Sequence, residues 1–285
     1  IQRHTKEPHE IIFVDNGSTD GTVKWLQKLV RENGHYRLIL NRSNLGFARG
    51  CNQGMQAAKG EYILLLNNDV VVTANWLKRM ITCAEAIPQS GMVGPMSNYV
   101  SGPQLLKPVN YDTASLSRLG AFADEHAGKH RGQAIPFWRV VGFCMLIKRA
   151  VVEKIGGLDE RYGLGNFEDD DFSLRATLAG FQSWIVLDSF VHHFGNRTFA
   201  DAGIDYRNSL NKNWEIFKRK WGIPEEVAYG TAFKLKEILG QGFSSIRHHF
   251  PLEVQDSDLA RGEELYAMGD VEGAVQYLRT LPYLN

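Results

Sequence analysis

The segment GNFEDDDFSLR, residues 165–175, places four consecutive carboxylates directly before an apolar-periodic stretch that predicts a helix. The acids are Glu168, Asp169, Asp170 and Asp171. A carboxylate within hydrogen-bond reach of a hydroxyl group can act as a general base. Successive side chains on a helix turn by roughly 100°, so the four acids cannot all face one cleft. From spacing alone, each acid has a similar chance of being the base.

Two of these acids have an adequate structural explanation. The helix macrodipole favours carboxylates in the first turn, which accounts for Asp170 and Asp171. Asp171 also precedes Arg175 by four residues, an arrangement that favours an ion pair along a helix. Like charges crowded in one row are expected to raise the pKa of at least one member, which suits a base.

Two further polar clusters follow predicted buried strands. In LLLNNDVVV, the triplet Asn67, Asn68 and Asp69 interrupts a strongly apolar run, and in FVDNGSTDGT, Asp15 and Asn16 end another. A lone carboxylate such as that of Asp69 can hold Mg²⁺ or Mn²⁺ together with substrate phosphates. An Asp at a strand end can accept hydrogen bonds from a base N–H or from ribose hydroxyls. Ordinary turn and cap chemistry is the alternative for both clusters.

Two histidines and a glycine-rich loop complete the set of candidate residues. His192 and His193 follow an apolar strand, where one of them could be a metal ligand or simply bond a backbone carbonyl. The loop NLGFARGCNQG has neither the Walker spacing and lysine nor the G-x-G-x-x-G fingerprint. A P-loop or a dinucleotide-binding Rossmann site is therefore disfavoured.

The predicted elements around these residues alternate between strand and helix over the first 100 residues. Predicted strands cover 10–15, 36–41, 61–72 and 91–98, with helices between them. This alternation predicts an α/β fold with a doubly wound, mostly parallel sheet and flanking helices. Ligands of such sheets bind at the carboxyl ends of strands, where both polar clusters lie. The segment 99–136 has little pattern and is expected to be irregular.

Composition excludes several classes of protein. The chain has 285 residues and is 44% hydrophobic, enough for a sizeable core, and its 32 basic and 32 acidic residues balance. A nucleic-acid partner therefore has no support from charge. No apolar run is long enough for a transmembrane segment. The three widely spaced cysteines argue against a disulfide framework, so we expect reduced thiols in a cytoplasmic protein.

The C-terminal part changes character after Pro224, so we predict a first domain over 1–221 and a helical extension over 222–285. One set of residues near the end resembles a single tetratricopeptide unit: Leu265, Tyr266, Gly269, Ala274, Tyr277, Leu278 and Pro282. One unit cannot bury its own face, so we expect further repeats beyond Asn285 and a protein partner for them. An ordinary helical hairpin is the alternative.

Seven motifs in order resemble family 2 glycosyltransferases of the GT-A fold over roughly residues 10–200. They are VDNGSTDGT, NLGFARGCNQG, A-x-GEYILLLNNDV, GFCMLIKR, GG-x-DERY, EDDDFSLR and HHFGNRTF. The resemblance implies transfer of a sugar from a nucleotide sugar, a UDP- or dTDP-sugar in the first instance, with inversion at the anomeric carbon. The acceptor would be a hydroxyl of a saccharide or glycoconjugate, in polysaccharide or glycoconjugate synthesis, by an enzyme that is cytoplasmic or peripheral at the inner membrane face.

The same resemblance assigns roles to individual residues. It implies that Asp169 is the catalytic base, with Glu168 beside it contacting acceptor or donor. It implies that Asp69 binds Mg²⁺ or Mn²⁺ and that His193 joins the metal or diphosphate shell. It places the remaining residues at the nucleotide or donor: Asp15, Asn16, Asn44, Gly46, Asn52, Asn68 and Gly142.

Three departures from the family pattern matter. Position 68 holds Asn where many members have Asp, and the adjacent His192 leaves the histidine assignment open. The family's first β-strand, which forms one wall of the nucleotide pocket, is missing, so we expect an N-terminally truncated sequence that binds donor poorly. The competing hypotheses are a glycosyltransferase-like scaffold with little activity and a nucleotidyltransferase, although the latter's basic glycine-rich activation loop is not visible.

Overall fold

The structure is a computed structural model that describes residues 1–195, 206–252, 265 and 271–278. The chain divides into two compact units that are interleaved along the sequence. The first comprises Ile1–His9, Gly60–Val151 and Gly180–Ser209, and the second comprises Glu10–Lys59, Val152–Ala179 and Leu210–Asn285. The predicted boundary between 221 and 222 falls inside the second unit and stays a prediction.

The first unit is built on a six-stranded sheet. Its strands are β3 (Tyr62–Leu66), β4 (Val70–Val72), β5 (Ser90–Met96), β6 (Ala134–Pro136), β7 (Cys144–Lys148) and β8 (Gln182–His193). The order is β3-β7-β5-β8-β4, and β6 also pairs with β8. Only β5 and β8 run parallel; the other four pairings are antiparallel.

Helices cover both faces of this sheet. They are α3 (Trp76–Ala86) and α4 (Leu119–Lys129), and α5 (Arg149–Ile155) begins in the same unit. Val186 packs in a core with α3, whereas Ile185 packs in a second core with α4. Because adjacent strand residues point to opposite faces, the two helices lie on opposite sides of β8.

The second unit contains a parallel two-stranded sheet and most of the remaining helices. Its strands are β1 (Ile11–Asp15) and β2 (Tyr36–Leu40), paired in register from Ile11 with Tyr36 to Asp15 with Leu40. Its helices are α1 (Thr22–Glu32), α2 (Phe47–Ala57), α6 (Glu168–Leu178), α7 (Tyr206–Trp221, which starts in the first unit), α8 (Leu235–Leu239), α9 (Ser245–His248) and α10 (Val271–Leu278).

The predicted α/β class with flanking helices is confirmed, and three expectations about its elements are corrected. The sheet is mixed and not mostly parallel, because antiparallel strands covered on both faces are as continuously apolar as parallel ones. The predicted strand over 61–72 is two strands, separated by a turn over 67–69. The segment 99–136 contains α4, whose two glycines and weak apolar periodicity conceal it.

The predicted tetratricopeptide-like unit lies largely outside the described residues. Of that segment the structure describes α10, in which Ala274 is buried, and residue 265. No helix within the described ranges is both long and apolar enough to cross a membrane.

Candidate active site

In the first unit, a turn between β3 and β4 brings Asp69 to His193. The strand β4 pairs with the end of β8, with Val70 opposite His193, and the Phe194 N–H donates to the Asp69 carbonyl oxygen over 3.0 Å. This pairing places Asp69 Oδ1 3.1 Å from His193 Nε2. Both side chains are mostly buried, with 14% and 11% of their areas exposed.

The ring of His193 is held in one orientation by its surroundings. Its Nδ1 lies 2.8 Å from the Tyr99 carbonyl oxygen, which can only accept a hydrogen bond, so Nδ1 carries a proton. Phe143 stacks on the ring with centroids 5.0 Å apart, and the Asn98 side chain bonds both the N–H and the C=O of His193. In the neutral tautomer, Nε2 therefore presents its lone pair toward Asp69.

His192 has a different environment. Its Nδ1 lies 2.7 Å from the Tyr111 hydroxyl, and the residue is 1% exposed. Burial, with a contribution from His193, lowers the pKa of His192. Of the two histidines that the sequence left undecided, His193 is the one beside Asp69.

The Asp69–His193 pair has the chemistry of a partial metal site. The Asp69 Oδ1 atom is buried and makes no hydrogen bond of good geometry, although Nε2 lies near it. Burial raises the pKa of Asp69, but the adjacent His193 imidazole outweighs it and holds the pKa below its usual value. A separation of 3.1 Å is less than twice a metal–ligand distance of about 2.1 Å, so one ion can contact both atoms.

No cluster of three or more His, Cys, Asp or Glu ligands occurs among the described residues. Two protein ligands suit a hard divalent ion that takes its remaining ligands from phosphate and water. Asn68 lies exposed in the same turn as Asp69, and the Asn67 N–H donates to the Phe143 carbonyl. Gly142 is buried directly before Phe143.

In the second unit, Asp15 ends β1 and shapes the loop that follows. Its Oδ1 accepts hydrogen bonds from the N–H groups of Gly17 and Ser18, each over 3.0 Å. Asn16 donates to the Gly46 carbonyl over 3.1 Å and accepts from Asn41 over 2.8 Å. These bonds join the cluster of Asp15 and Asn16 to the glycine-rich loop.

The glycine-rich loop is specified by backbone conformation. Gly46 has φ 89°, and a Cβ at this position would lie 2.2 Å from the Gly163 carbonyl oxygen, so only glycine fits. The exposed Asn44 accepts from the Gly46 N–H over 2.9 Å. Asn52, expected at the donor, uses its amide on the Leu158 backbone and on Glu160 Oε1. These bonds occupy the Asn52 amide, and its role at the donor stays a prediction.

The acidic row forms the first turn of α6, and all four acids are buried. Asp171 is fully paired: its oxygens accept from Arg175 Nε over 2.8 Å, from Trp221 Nε1 over 3.1 Å and from Lys220 Nζ over 2.6 Å. The predicted pairing of Asp171 with Arg175 is therefore confirmed. Lys220 also contacts Asp159, which extends a buried ion network.

The front of the row is bonded differently. Glu168 is 5% exposed and its Oε2 has no hydrogen-bond partner. Burial, together with the neighbouring Asp169 carboxylate, raises the pKa of Glu168 well above its usual value. Asp169 is 8% exposed, and its Oδ1 accepts from the Asp170 N–H over 2.9 Å.

Sequence reasoning missed several residues that support these groups. The Asn98 side chain bonds the backbone of His193, and the Tyr99 carbonyl bonds its ring; neither contact leaves a signal in the sequence. Asn213 bonds the loop before α6, and because its helix also carries Asn208 and Asn211, the sequence does not distinguish it.

Comparison with known proteins gives these residues a family context. Residues 1–156, more than half of the chain, match Glycosyl transferase family 2. An N-acetylglucosaminyl-diphospho-decaprenol L-rhamnosyltransferase of Mycobacterium tuberculosis is 28% identical over 222 residues, 69% of this chain and 70% of its own length. An uncharacterized protein of Sinorhizobium fredii is 26% identical over 74% of this chain, which spans 24% of that relative.

A solved structure has a similar fold. The mannosyltransferase of Pyrobaculum calidifontis, determined in complex with GDP-Man and Mn²⁺, matches with a TM-score of 0.53 and 16% identity, over 95% of this chain and 70% of that one. The described architecture is thus a GT-A fold. By its sequence, the chain belongs to glycosyl transferase family 2.

Proposed function

We propose that this protein transfers a sugar from a nucleotide-diphosphate sugar to a hydroxyl acceptor, with inversion, in polysaccharide or glycoconjugate synthesis. The observation that carries the proposal is the 3.1 Å approach of Asp69 Oδ1 to His193 Nε2, with the tautomer set by the Tyr99 carbonyl. Family membership and the rhamnosyltransferase relative support the reaction class.

Asp69 and His193 would hold a divalent ion, Mg²⁺ or Mn²⁺. When bound, such an ion neutralises negative charge that develops on the departing diphosphate. The Tyr99 carbonyl orients a histidine ligand in the way that second-shell groups commonly do. The mannosyltransferase neighbour with Mn²⁺ supports a metal of this kind.

The donor nucleotide is assigned to the turn and loop residues. Asp15 and Asn16 bind the base and ribose, and Asn44 and Gly46 of the glycine-rich loop support them, because Asn16 is bonded to the Gly46 carbonyl. Asn68 and Gly142 complete the donor set in the first unit. A dTDP- or UDP-sugar remains our proposal for the donor.

Asp169 is the proposed general base. As the acceptor hydroxyl attacks the anomeric carbon, Asp169 takes its proton and the nucleoside diphosphate leaves from the opposite face. This single displacement inverts the configuration and needs no covalent nucleophile. Glu168, with one carboxylate oxygen unpartnered, would hydrogen-bond the acceptor or the donor sugar.

The acceptor is a saccharide or glycoconjugate. The rhamnosyltransferase relative is named for a diphospho-decaprenol acceptor, so a lipid-linked saccharide is the first acceptor to test. We propose a cytoplasmic enzyme that works peripherally at the inner membrane face, with a protein partner on its C-terminal helices.

The proposal is tested by nucleotide-sugar binding and turnover in the complete protein. UDP-, dTDP- and GDP-sugars are screened with Mn²⁺ by calorimetry and by release of nucleoside diphosphate. Asp69→Ala is expected to lose about tenfold or more of the metal-dependent affinity. Asp124→Ala, which removes an exposed acid from α4, is the matched control and should behave like the wild type. Absence of both binding and turnover with every donor would refute the proposal.

A further inference from the structure

The side chain of Asn213, on α7, is bonded to three carbonyl groups of a single loop. Its Nδ2 donates to the carbonyl oxygens of Tyr162, Gly165 and Asn166 over 2.7, 2.8 and 3.2 Å. One amide group has two N–H donors, so one of them is shared. Asn213 is 3% exposed, and water cannot easily replace these bonds.

The loop that Asn213 holds has an unfavourable backbone conformation. Gly163, Gly165, Asn166 and Phe167 have φ values of 57°, 132°, 81° and 75°. Positive φ is uncommon outside glycine, and here two consecutive residues that are not glycine adopt it. Such a segment persists only where its surroundings enforce it, and segments of this kind cluster at functional sites.

The same loop joins two parts of the second unit to which we assign functions. The Gly163 carbonyl packs on Gly46 so closely that no side chain fits at position 46. At its other end, Phe167 directly precedes Glu168 and Asp169 at the start of α6. The backbone of this loop therefore sets where α6 begins and where its first two carboxylates point.

We propose that Asn213 is a positioning residue for catalysis. By satisfying three loop carbonyls at once, it holds the left-handed conformation of residues 163–167 and thereby the orientation of Asp169. This inference rests on the proposed function, since it assigns Asp169 as the base. Asn213 itself contacts the loop backbone and performs no chemistry.

The test compares Asn213→Ala with Asn211→Ala in the complete protein. Asn211 is exposed on the same helix and serves as the matched control. The kcat of Asn213→Ala is expected to fall about 100-fold, with the donor KM within about threefold of the wild type, because a misplaced catalytic group lowers the rate of the chemical step. Amide hydrogen exchange over residues 163–168 should become faster in Asn213→Ala and stay unchanged in Asn211→Ala.

A rescue variant separates positioning from general stability. Asn166→Gly lowers the cost of positive φ, so adding it to Asn213→Ala should recover at least about tenfold of kcat. A folded Asn213→Ala with wild-type kcat, or a loss of kcat that Asn166→Gly does not recover, overturns the proposal. If Asn213→Ala does not fold, Asn213→Ser, which keeps one donor, takes its place; failure of both to fold assigns Asn213 a purely structural role and also overturns it. A wild type inactive with every donor would refute the proposed function, whereas the exchange rates report on the loop independently.

Discussion

The acidic row in α6 has a front half, Glu168 and Asp169, and a back half, Asp170 and Asp171. The two ends of this row are bonded in opposite ways. The back half ends at Asp171, a fully buried carboxylate with three donors, two of them cationic. The front half begins at Glu168, which is nearly as buried and leaves one oxygen without a partner. Buried polar groups are usually satisfied, so an exception calls for an explanation. Glu168 and Asp171 are therefore separated by the pairing of their carboxylates, and not by burial or charge.

The largest effect on stability is expected from removing the charge of Asp171, in the back half. Asp171→Asn leaves Arg175 and Lys220 without their carboxylate in a buried environment. Breaking a buried pair from one side typically costs about 3–5 kcal/mol. We therefore expect the free energy of unfolding, measured in denaturant, to fall by about that amount.

The control for this variant is Glu226→Gln, which neutralises an exposed acid of the second unit and should change stability by less than about 0.5 kcal/mol. An Asp171→Asn protein as stable as the wild type would show that the back half is not structural.

The surroundings of Asp171 also predict that stability depends on pH, through His248. His248 stacks on Trp221, accepts the Ser244 N–H at Nδ1 over 3.0 Å, and has its pKa lowered to about 4 by burial and by Lys220 and Arg175. Between about pH 6.5 and pH 4 the unfolded chain binds a proton at this site and the folded protein does not, so acidification lowers stability.

His248→Asn does not titrate. The free energy of unfolding of the wild type, taken relative to this variant, should therefore fall by on the order of 2 kcal/mol as the pH is lowered from 7 to 4.5. Urea unfolding at a series of pH values measures this difference. A difference that is the same at every pH would show that His248 is not held neutral by folding.

In the front half, neutralising Glu168 should have a smaller effect on stability than neutralising Asp171, and it should stabilise the protein. Because the pKa of Glu168 is raised by folding, the unfolded chain loses its proton first as pH rises above about 4.3, and stability falls. Glu168→Gln removes that cost and should stabilise the protein at pH 7 by about 0.5–2 kcal/mol, as exchanges at functional sites often do. A destabilised Glu168→Gln would make Glu168 a structural acid like Asp171.

The sequence predicted most of the fold that carries these groups. The apolar runs of β1, β2 and β5 and the helical periodicity of α1 and α3 are local signals, and the three strands lie within a residue or two of their predicted bounds. Strand direction depends on partners that are remote in sequence, so the antiparallel pairings could not be read from any single run. The Asn67–Asp69 turn was visible as polarity but not as a break between two strands.

The candidate site was predictable only in part. Spacing identified Asp171 as the partner of Arg175, and the family resemblance singled out Asp169, Asp69 and His193, whose roles stay predictions. The groups that orient them act through the backbone, as the Tyr99 carbonyl does for His193, or bind backbone carbonyls, as Asn213 does. Such contacts depend on tertiary structure and place almost no constraint on local sequence.

Asp169→Asn shows whether the carboxylate of Asp169, in the front half of the row, is the general base. With the donor identified by the screen, kcat should fall by about 10²–10⁴-fold, because an amide cannot accept the acceptor proton, while the Kd for the nucleotide stays within a few-fold of the wild type. The side chain keeps its size, so the unfolding free energy should change far less than in Asp171→Asn. An Asp169→Asn enzyme with wild-type kcat would show that Asp169 is not the base.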